Sequence, residues 1–456
     1  MVSLPFAYQS YERSTSLQPA SVCRNLFVEK DVTGNASNEA QAILIQRPGL
    51  TRYQELPDNV RGFFLSENVN DSRLYTVAGD KVAAINGITA DPIGTVANDG
   101  QSVAFAPTFD KMAIASGGNL YTYFQDEQFT GTFGQIAMPD DRKVIDITEL
   151  NNYIIVACAD GRFFWLLPGT NGIGALDFLT AESSTDGLVA VRRIGDEIYF
   201  FGVSSVEVWS ATGDLDLPFQ RANGRNLNAG LLFRDTVRLL DNTLMWVGTT
   251  GYVYRADSVP KRISDASIEE RIAKRTGTVS ALSLTIEGHQ FYCLKIPGQG
   301  TFCYDIATSK WCEFASLGRS TWRPAFSVVM DTVTLVADDS SGMVWRVDQS
   351  VSTDDGVAIE RVATGTVTLP PKPAKNNSFS MDVGSSGPCR WRLRWHDALE
   401  DGFPARYEYM NARKGNDRIT LYRLGQARGQ YRTFEISIVD DVRVRFGDAA
   451  VNEAWQ

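Results

Sequence analysis

Tyr153-Ile-Ile-Val-Ala-Cys-Ala-Asp-Gly-Arg-Phe-Phe-Trp165 is the stretch on which the fold turns. An apolar, β-branched run, an Asp-Gly turn and a second aromatic run spell a β-hairpin whose strands have little polar surface to show to water. The unit recurs upstream as Arg73-Leu-Tyr-Thr-Val-Ala-Gly-Asp-Lys-Val-Ala-Ala-Ile85 and Met112-Ala-Ile-Ala-Ser-Gly-Gly-Asn-Leu-Tyr-Thr-Tyr-Phe124. Downstream it returns as Glu197-Ile-Tyr-Phe-Phe-Gly-Val-Ser-Ser-Val-Glu-Val-Trp209, Thr243-Leu-Met-Trp-Val-Gly-Thr-Thr-Gly-Tyr-Val-Tyr254, Gln290 to Tyr304 and Val333 to Trp345. Starts lie roughly 40 to 46 residues apart, the length of a four-stranded blade, and one blade cannot bury two apolar faces alone. Stacking the blades in a ring solves that. The fold expected is therefore all-β, a β-propeller of six or seven blades; two large β-sandwiches are the competing arrangement.

Helix is scarce. In Ser267-Ile-Glu-Glu-Arg-Ile-Ala-Lys, Ser267 and Glu270 have capping-box spacing and Ile268 and Ile272 mark one face, which predicts a short helix crossing between blades. After Val347 the character changes: residues 350–355 are polar and Leu369-Pro-Pro-Lys-Pro-Ala-Lys reads as an extended, exposed connection. Arg390-Trp-Arg-Leu-Arg-Trp395, Ile419 to Arg423 and Phe434 to Ile438 then alternate apolar and polar residues as half-buried strands do. The expected organisation is an N-terminal extended or β segment (1–60) joining the propeller or a ring neighbour, the propeller (61–350), a linker (351–380) and a C-terminal sandwich-like β-module (381–456).

Charge and chemistry narrow the function. The formal charge of −10, from 44 basic and 54 acidic residues, argues against a surface that grips phosphates throughout. No apolar run of about 18 residues suggests a membrane span, and the N-terminus lacks a signal-peptide pattern, so assembly in a cytoplasm is expected. The six cysteines have no CxxC spacing and only His289 and His396 could join them, which favours buried thiols over a metal site. No phosphate-binding loop or nucleophile elbow is present, and Gly169-Thr-Asn-Gly-Ile-Gly174 reads as a turn. The doublets Asp140 and Asp141, Asp338 and Asp339, and Asp440 and Asp441 sit in turns, where Asp bonds its own backbone. No catalytic, cofactor-binding or metal-binding residue is assigned, and no cofactor is expected.

One row invites a contact role. Arg390, Arg392 and Arg394 alternate with Trp391, Leu393 and Trp395, and in a strand residues two apart share a face. The arginines should form one outward row facing a subunit or DNA, the tryptophans a buried one.

Several segments, in order, resemble the packaged-DNA stabilisation (tail-hub or nozzle) proteins of short-tailed bacteriophages. They are Asn25-Leu-Phe27 with Arg47-Pro-Gly-Leu50, Phe164 to Thr170, Leu176-Asp-Phe178 through Ala181-Glu182, and Phe201 to Trp209 with Glu207 and Trp209. Leu217-Pro-Phe-Gln-Arg221 follows, bringing Pro218, Phe219 and Arg221, then Leu244 to Gly248, Lys261-Arg-Ile-Ser264 with Arg262 and Ser264, and Ile268-Glu269. The close, Tyr422-Arg-Leu-Gly-Gln-Ala-Arg428 with Arg423 and Gly425, then Phe434, is similar too; the strand around Trp391 has no counterpart in the pattern. The resemblance implies a non-enzymatic virion protein that forms a ring, six copies in that family, and extends the portal channel, retains packaged DNA and anchors distal tail proteins. Implied partners are a homo-oligomeric ring, the portal or adaptor ring, distal needle, fibre or spike proteins, and transient, non-specific contact with DNA, with no membrane insertion. The alternatives are a carbohydrate-binding or carbohydrate-active propeller, which needs two converging carboxylates, and a propeller-type protein-interaction scaffold with Gly-His and Trp-Asp signatures.

Overall fold

The computed structural model describes residues 2–4, 6–16, 19–30, 42–66, 73–87, 89–125, 131–181, 187–257, 259–330, 332–368, 375–397, 406–427 and 431–452. Each hairpin singled out in the sequence becomes the middle pair of strands in one antiparallel four-stranded blade. In the stretch 153–166, Tyr153–Cys158 pairs Arg162–Leu166. Val144–Leu150 flanks it on the inside and Phe178–Thr180 on the outside.

Five blades follow one another as consecutive stretches, 60–95, 104–136, 144–180, 188–227 and 238–262. The sixth (280–314) and seventh (324–348) are extended by strands from elsewhere in the chain. Seven interfaces follow from seven blades, and each has its own buried apolar cluster. Phe163, Phe200, Trp209 and Phe219, for example, pack between blades three and four, with Phe163 and Phe200 stacked at 4.3 Å. The count is therefore seven.

Ring closure uses the N-terminal region. Gly49–Glu55 pairs antiparallel with Met343–Asp348 as the fourth strand of blade seven, so the propeller is sealed by residues from both ends of its span. Gly49 has no substitute here, because a Cβ would meet the Thr353 carbonyl oxygen at 2.3 Å.

Strands within the stretch 351–380 also differ from an exposed connection. Arg361–Thr368 and Lys375–Ser385 are paired strands of two sheets; residues 369–374, where the prolines cluster, lie outside the described residues. Residues 361–365 and 367 of the first strand are buried, but Arg361, the threonines and Gly365 leave no apolar alternation to read in the sequence. Arg361–Thr368 joins Cys23–Arg24 to Tyr431–Ile438, then Cys389–His396 and Arg406–Ala412, making blade six continuous with a nine-stranded sheet. A six-stranded sheet faces it, built from Leu26–Lys30, Ala42–Gln46, Val444–Val451, Lys375–Ser385 and Gly415–Gln426 with Val2–Leu4 at one side. One large cluster, with Phe6, Phe27, Trp322, Trp345, Phe379, Trp391, Phe434 and Phe446, fills the space between these sheets and blades six and seven.

The helix is Ala266–Ala273, between blades five and six, with Ile268 and Ile272 buried. Its N-cap is Asp265, whose carboxylate accepts from the Ile268 N–H at 3.0 Å, not Ser267. Ser267 is instead buried and its hydroxyl accepts from the Glu12 N–H, so an N-terminal contact took over the residue that the local pattern assigned to the cap.

Candidate assembly and channel sites

The seam where the chain's two ends meet is pinned by Arg47. Its guanidinium has no exposed surface and is fully used: Nε donates to Asn25 Oδ1 at 2.8 Å, Nη1 and Nη2 grip Asp354 at 2.8 and 2.6 Å, and the Pro48 and Ala315 carbonyls accept the rest. The fork also lies over Trp322, 5.2 Å from its ring. A planar, permanently charged group with several donors suits this junction of blade six, blade seven and the β-module. Asn25 and Arg47 belong to the early segments read above. Asp354, which completes the pin, carried no sequence signal.

His289 makes a second tie. Its Nδ1 meets Asp305 at 2.9 Å within blade six and its Nε2 meets Glu29 of the six-stranded sheet at 2.8 Å. The bond to Asp305 leads in raising the imidazole pKa; burial works against it and Glu29 adds to it.

The motif residues of the central blades form two local knots. In blade four the Trp209 indole N–H donates to Glu207 Oε2 at 3.0 Å, and Arg221, opposite Trp209 across the strands, approaches the same oxygen at 3.7 Å. Phe219 is buried beneath them and the Pro218 carbonyl accepts from the Thr212 N–H. Between blades five and six, Arg262 grips Glu269 through Nε and Nη2, and Ser264 donates to the same carboxylate at 2.7 Å. That knot binds the last strand of blade five to the helix.

At the far end, Arg423 adopts a left-handed φ of 67° and Gly425 one of 81°, at a bulge where Lys375–Ser385 pairs with Gly415–Gln426. The bulge aims the Leu424 carbonyl at the Trp395 indole N–H, 3.2 Å away, and at the buried Arg432.

Arg390, Arg392 and Arg394 lie along one face of Cys389–His396, while Trp391, Leu393 and Trp395 point into the core, so the alternation holds. Arg390 stacks 3.9 Å above Tyr409, and Arg392 and Arg394 each approach Glu435 at 3.8 Å. The neighbouring strand Arg406–Ala412 ends the nine-stranded sheet and exposes Tyr407 and Tyr409. The row is thus an arginine and tyrosine surface with an acidic residue in its middle.

The propeller axis is crossed. The 3-10 turn Arg234–Thr236, which leads into blade five, reaches to the opposite side of the ring: Arg234 donates to the Ile145 carbonyl at 3.0 Å and to Ser102, and Ser102 donates to Asp235 at 2.6 Å. No periodicity in the sequence announced this plug. Below it lies a cavity of about 380 Å³ lined by the innermost strand of every blade. Its carboxylates Asp146 and Asp235 are paired with Arg192 and Arg234.

The aspartate doublets stay apart. Asp140 pairs with Arg142, Asp338 and Asp339 with Arg323, Lys295 and Arg319, and Asp440 accepts from the Arg390 N–H. All six cysteines are buried and unbridged, and burial pushes the Cys158 thiol up to about 12. Among the described residues no three His, Cys, Asp or Glu side chains gather to hold a metal, and no helix is long and apolar enough to cross a membrane.

These features define a β-propeller in which Arg47, His289, Glu207 and Arg262 join strands, blades and chain ends. Residues 20–352 match the family described as bacteriophage P22 Gp10, β-propeller, and the chain belongs to that family. The matched span includes Asn25, Arg47 and both blade knots; Asp354, Arg423, Gly425 and the arginine row lie beyond it. A search of curated proteins finds no match. Among solved structures the chain is similar to the crystal structure of the WD40 β-propeller domain of Doa1, at 9% identity and a TM-score of 0.42, over 66% of this chain and 97% of that one.

Proposed function

We propose that the chain is a non-enzymatic structural subunit of a short phage tail, a hub or nozzle ring that continues the portal channel, retains the packaged genome and anchors distal tail proteins. Family membership over the propeller carries this reading. The plugged axis sharpens it, because a duplex has no path through one propeller and must pass between copies arranged around a common lumen. Six copies, an adaptor ring above and a needle, fibre or spike below are the partners proposed. A chain charge of −10 suits a wall along which DNA slides.

The arginine row is proposed as a subunit contact. Exposed arginine and tyrosine beside an unpaired edge strand is the composition and geometry by which β surfaces associate. Glu435 between Arg392 and Arg394 disfavours a phosphate track. Virions assembled without the protein test the function: heads should fill and then lose their DNA. Fluorescence titration of duplex DNA supplies a second check, and binding by the free chain should be weak at physiological salt with a shallow salt slope. Tight, sequence-selective binding would overturn the reading.

A further inference from the structure

The axial cavity holds charge that an assembly role does not use. Arg192 is paired with Asp146, and Arg234 with Asp235. Arg238, from the innermost strand of blade five, remains. It lines the cavity and donates to the Val237 carbonyl at 2.8 Å, and among the described residues it has no ion pair. Burial works against its charge; Asp235 opposes that effect, while Arg192 and Arg234 add like charge nearby. A guanidinium fork set in a cavity that holds three arginines against two carboxylates is complementary to an oxyanion, which it can meet with two parallel N–H donors.

Place in the fold points the same way. Blade five is the slightest of the ring, with strands of 3, 5, 3 and 2 residues. Arg192 belongs to blade four and Arg238 to blade five, so an anion between them would tie the short-stranded blade to its neighbour from inside the cavity. The hydroxyl-bearing Thr148, Ser283 and Ser327 share the lining with Phe63, Phe64, Phe105 and Phe326.

We propose that the axial cavity binds one small tetrahedral oxyanion of the inorganic phosphate type, held by Arg238 with Arg192, as a structural ligand of the propeller. The plug over the cavity and its volume of about 380 Å³ select a free ion over the phosphate at the end of a nucleic acid strand.

The full chain, freed of phosphate by dialysis, is titrated with sodium phosphate against sodium chloride of equal ionic strength, and Tm is read. A saturable rise of about 3 °C at about 100 times Kd is expected for the natural chain. It should disappear in Arg238→Met and survive in part in Arg238→Lys. Methionine keeps the aliphatic length of a half-buried side chain that has no ion pair, so the variant should fold; calorimetric titration of the natural chain gives a reading that needs no variant. A 5′-phosphorylated oligonucleotide should give no more shift than its unphosphorylated counterpart. Equal phosphate responses in the natural chain and Arg238→Met, a natural chain that answers phosphate no more than chloride, or an oligonucleotide that replaces phosphate would each overturn the assignment. DNA retention by virions is read separately and is unaffected by any of these outcomes.

Discussion

Blades two to four and the seam of blades six and seven are made from the same kind of hairpin but held together in different ways. Each of the central blades is one consecutive stretch of chain, tied internally by knots such as Glu207 with Trp209 and Arg221. The seam gathers residues from distant parts of the chain at Arg47, which joins Asn25, Ala315 and Asp354. Local blades can form as soon as their own chain is present, whereas the ring closes only when its first and last strands meet. Damage to a central blade should therefore stay near that blade, and damage to the seam should open the ring.

The largest effect is expected at the pin. Arg47→Met leaves Asp354 buried without its partner and should destabilise the chain by about 3–5 kcal/mol in chemical denaturation, with hydrogen exchange accelerated in blade seven and the β-module together. Arg361 sharpens the point, because it is a buried arginine of the same seam without such partners. Its Nε and Nη1 have no hydrogen-bond partner, and burial followed by the nearby Arg47 pulls its pKa down to about 10. Arg361→Met should lie within about 1 kcal/mol of the natural chain or above it. Equal losses at the two positions would mean that burial of arginine, not its pairing, governs the seam.

A smaller and local loss is expected in blade four. Glu207→Ala strands the Trp209 indole N–H and should cost about 1–3 kcal/mol, with exchange faster in residues 188–227 and little changed in the seam. Protection lost across the whole ring would contradict the division between local blades and a long-range seam.

His289 offers a test by pH. Its folded pKa is raised, so the stability it contributes is complete below the unfolded value of about 6.5 and is lost as pH rises through the folded one. The stability gap between the natural chain and His289→Gln should be wider at about pH 6 than at about pH 9. A gap independent of pH would show that the imidazole acts by packing alone. Least affected in the isolated chain should be Arg394→Ala, within about 0.5 kcal/mol of the natural stability, while sedimentation of assembled tail complexes should show ring formation reduced.

How legible this was in the sequence differs by element. The middle strands of each blade are apolar on both faces, as in Ile154 to Cys158 and Phe163 to Leu166, and stand out as continuous runs. Outer strands such as Phe219–Leu227 are largely exposed and polar, so the hairpins were visible and the complete blades were not. Closure by Gly49–Glu55 was hidden because pairing Leu50 with Val347 leaves no local mark. The arginine row was legible from period two alone. The plug was not: Ser102, Arg234 and Asp235 are ordinary loop residues until the ring brings them across its axis.

The role proposed for this propeller is retention of packaged DNA in a phage tail. Its most direct measurement is the DNA content of particles assembled with the gene for this chain deleted, followed over time by nuclease protection and electron microscopy of the heads. Heads that fill and then empty, and stay full when the protein is supplied in trans, are the predicted result. Stable full heads formed without the chain would contradict it.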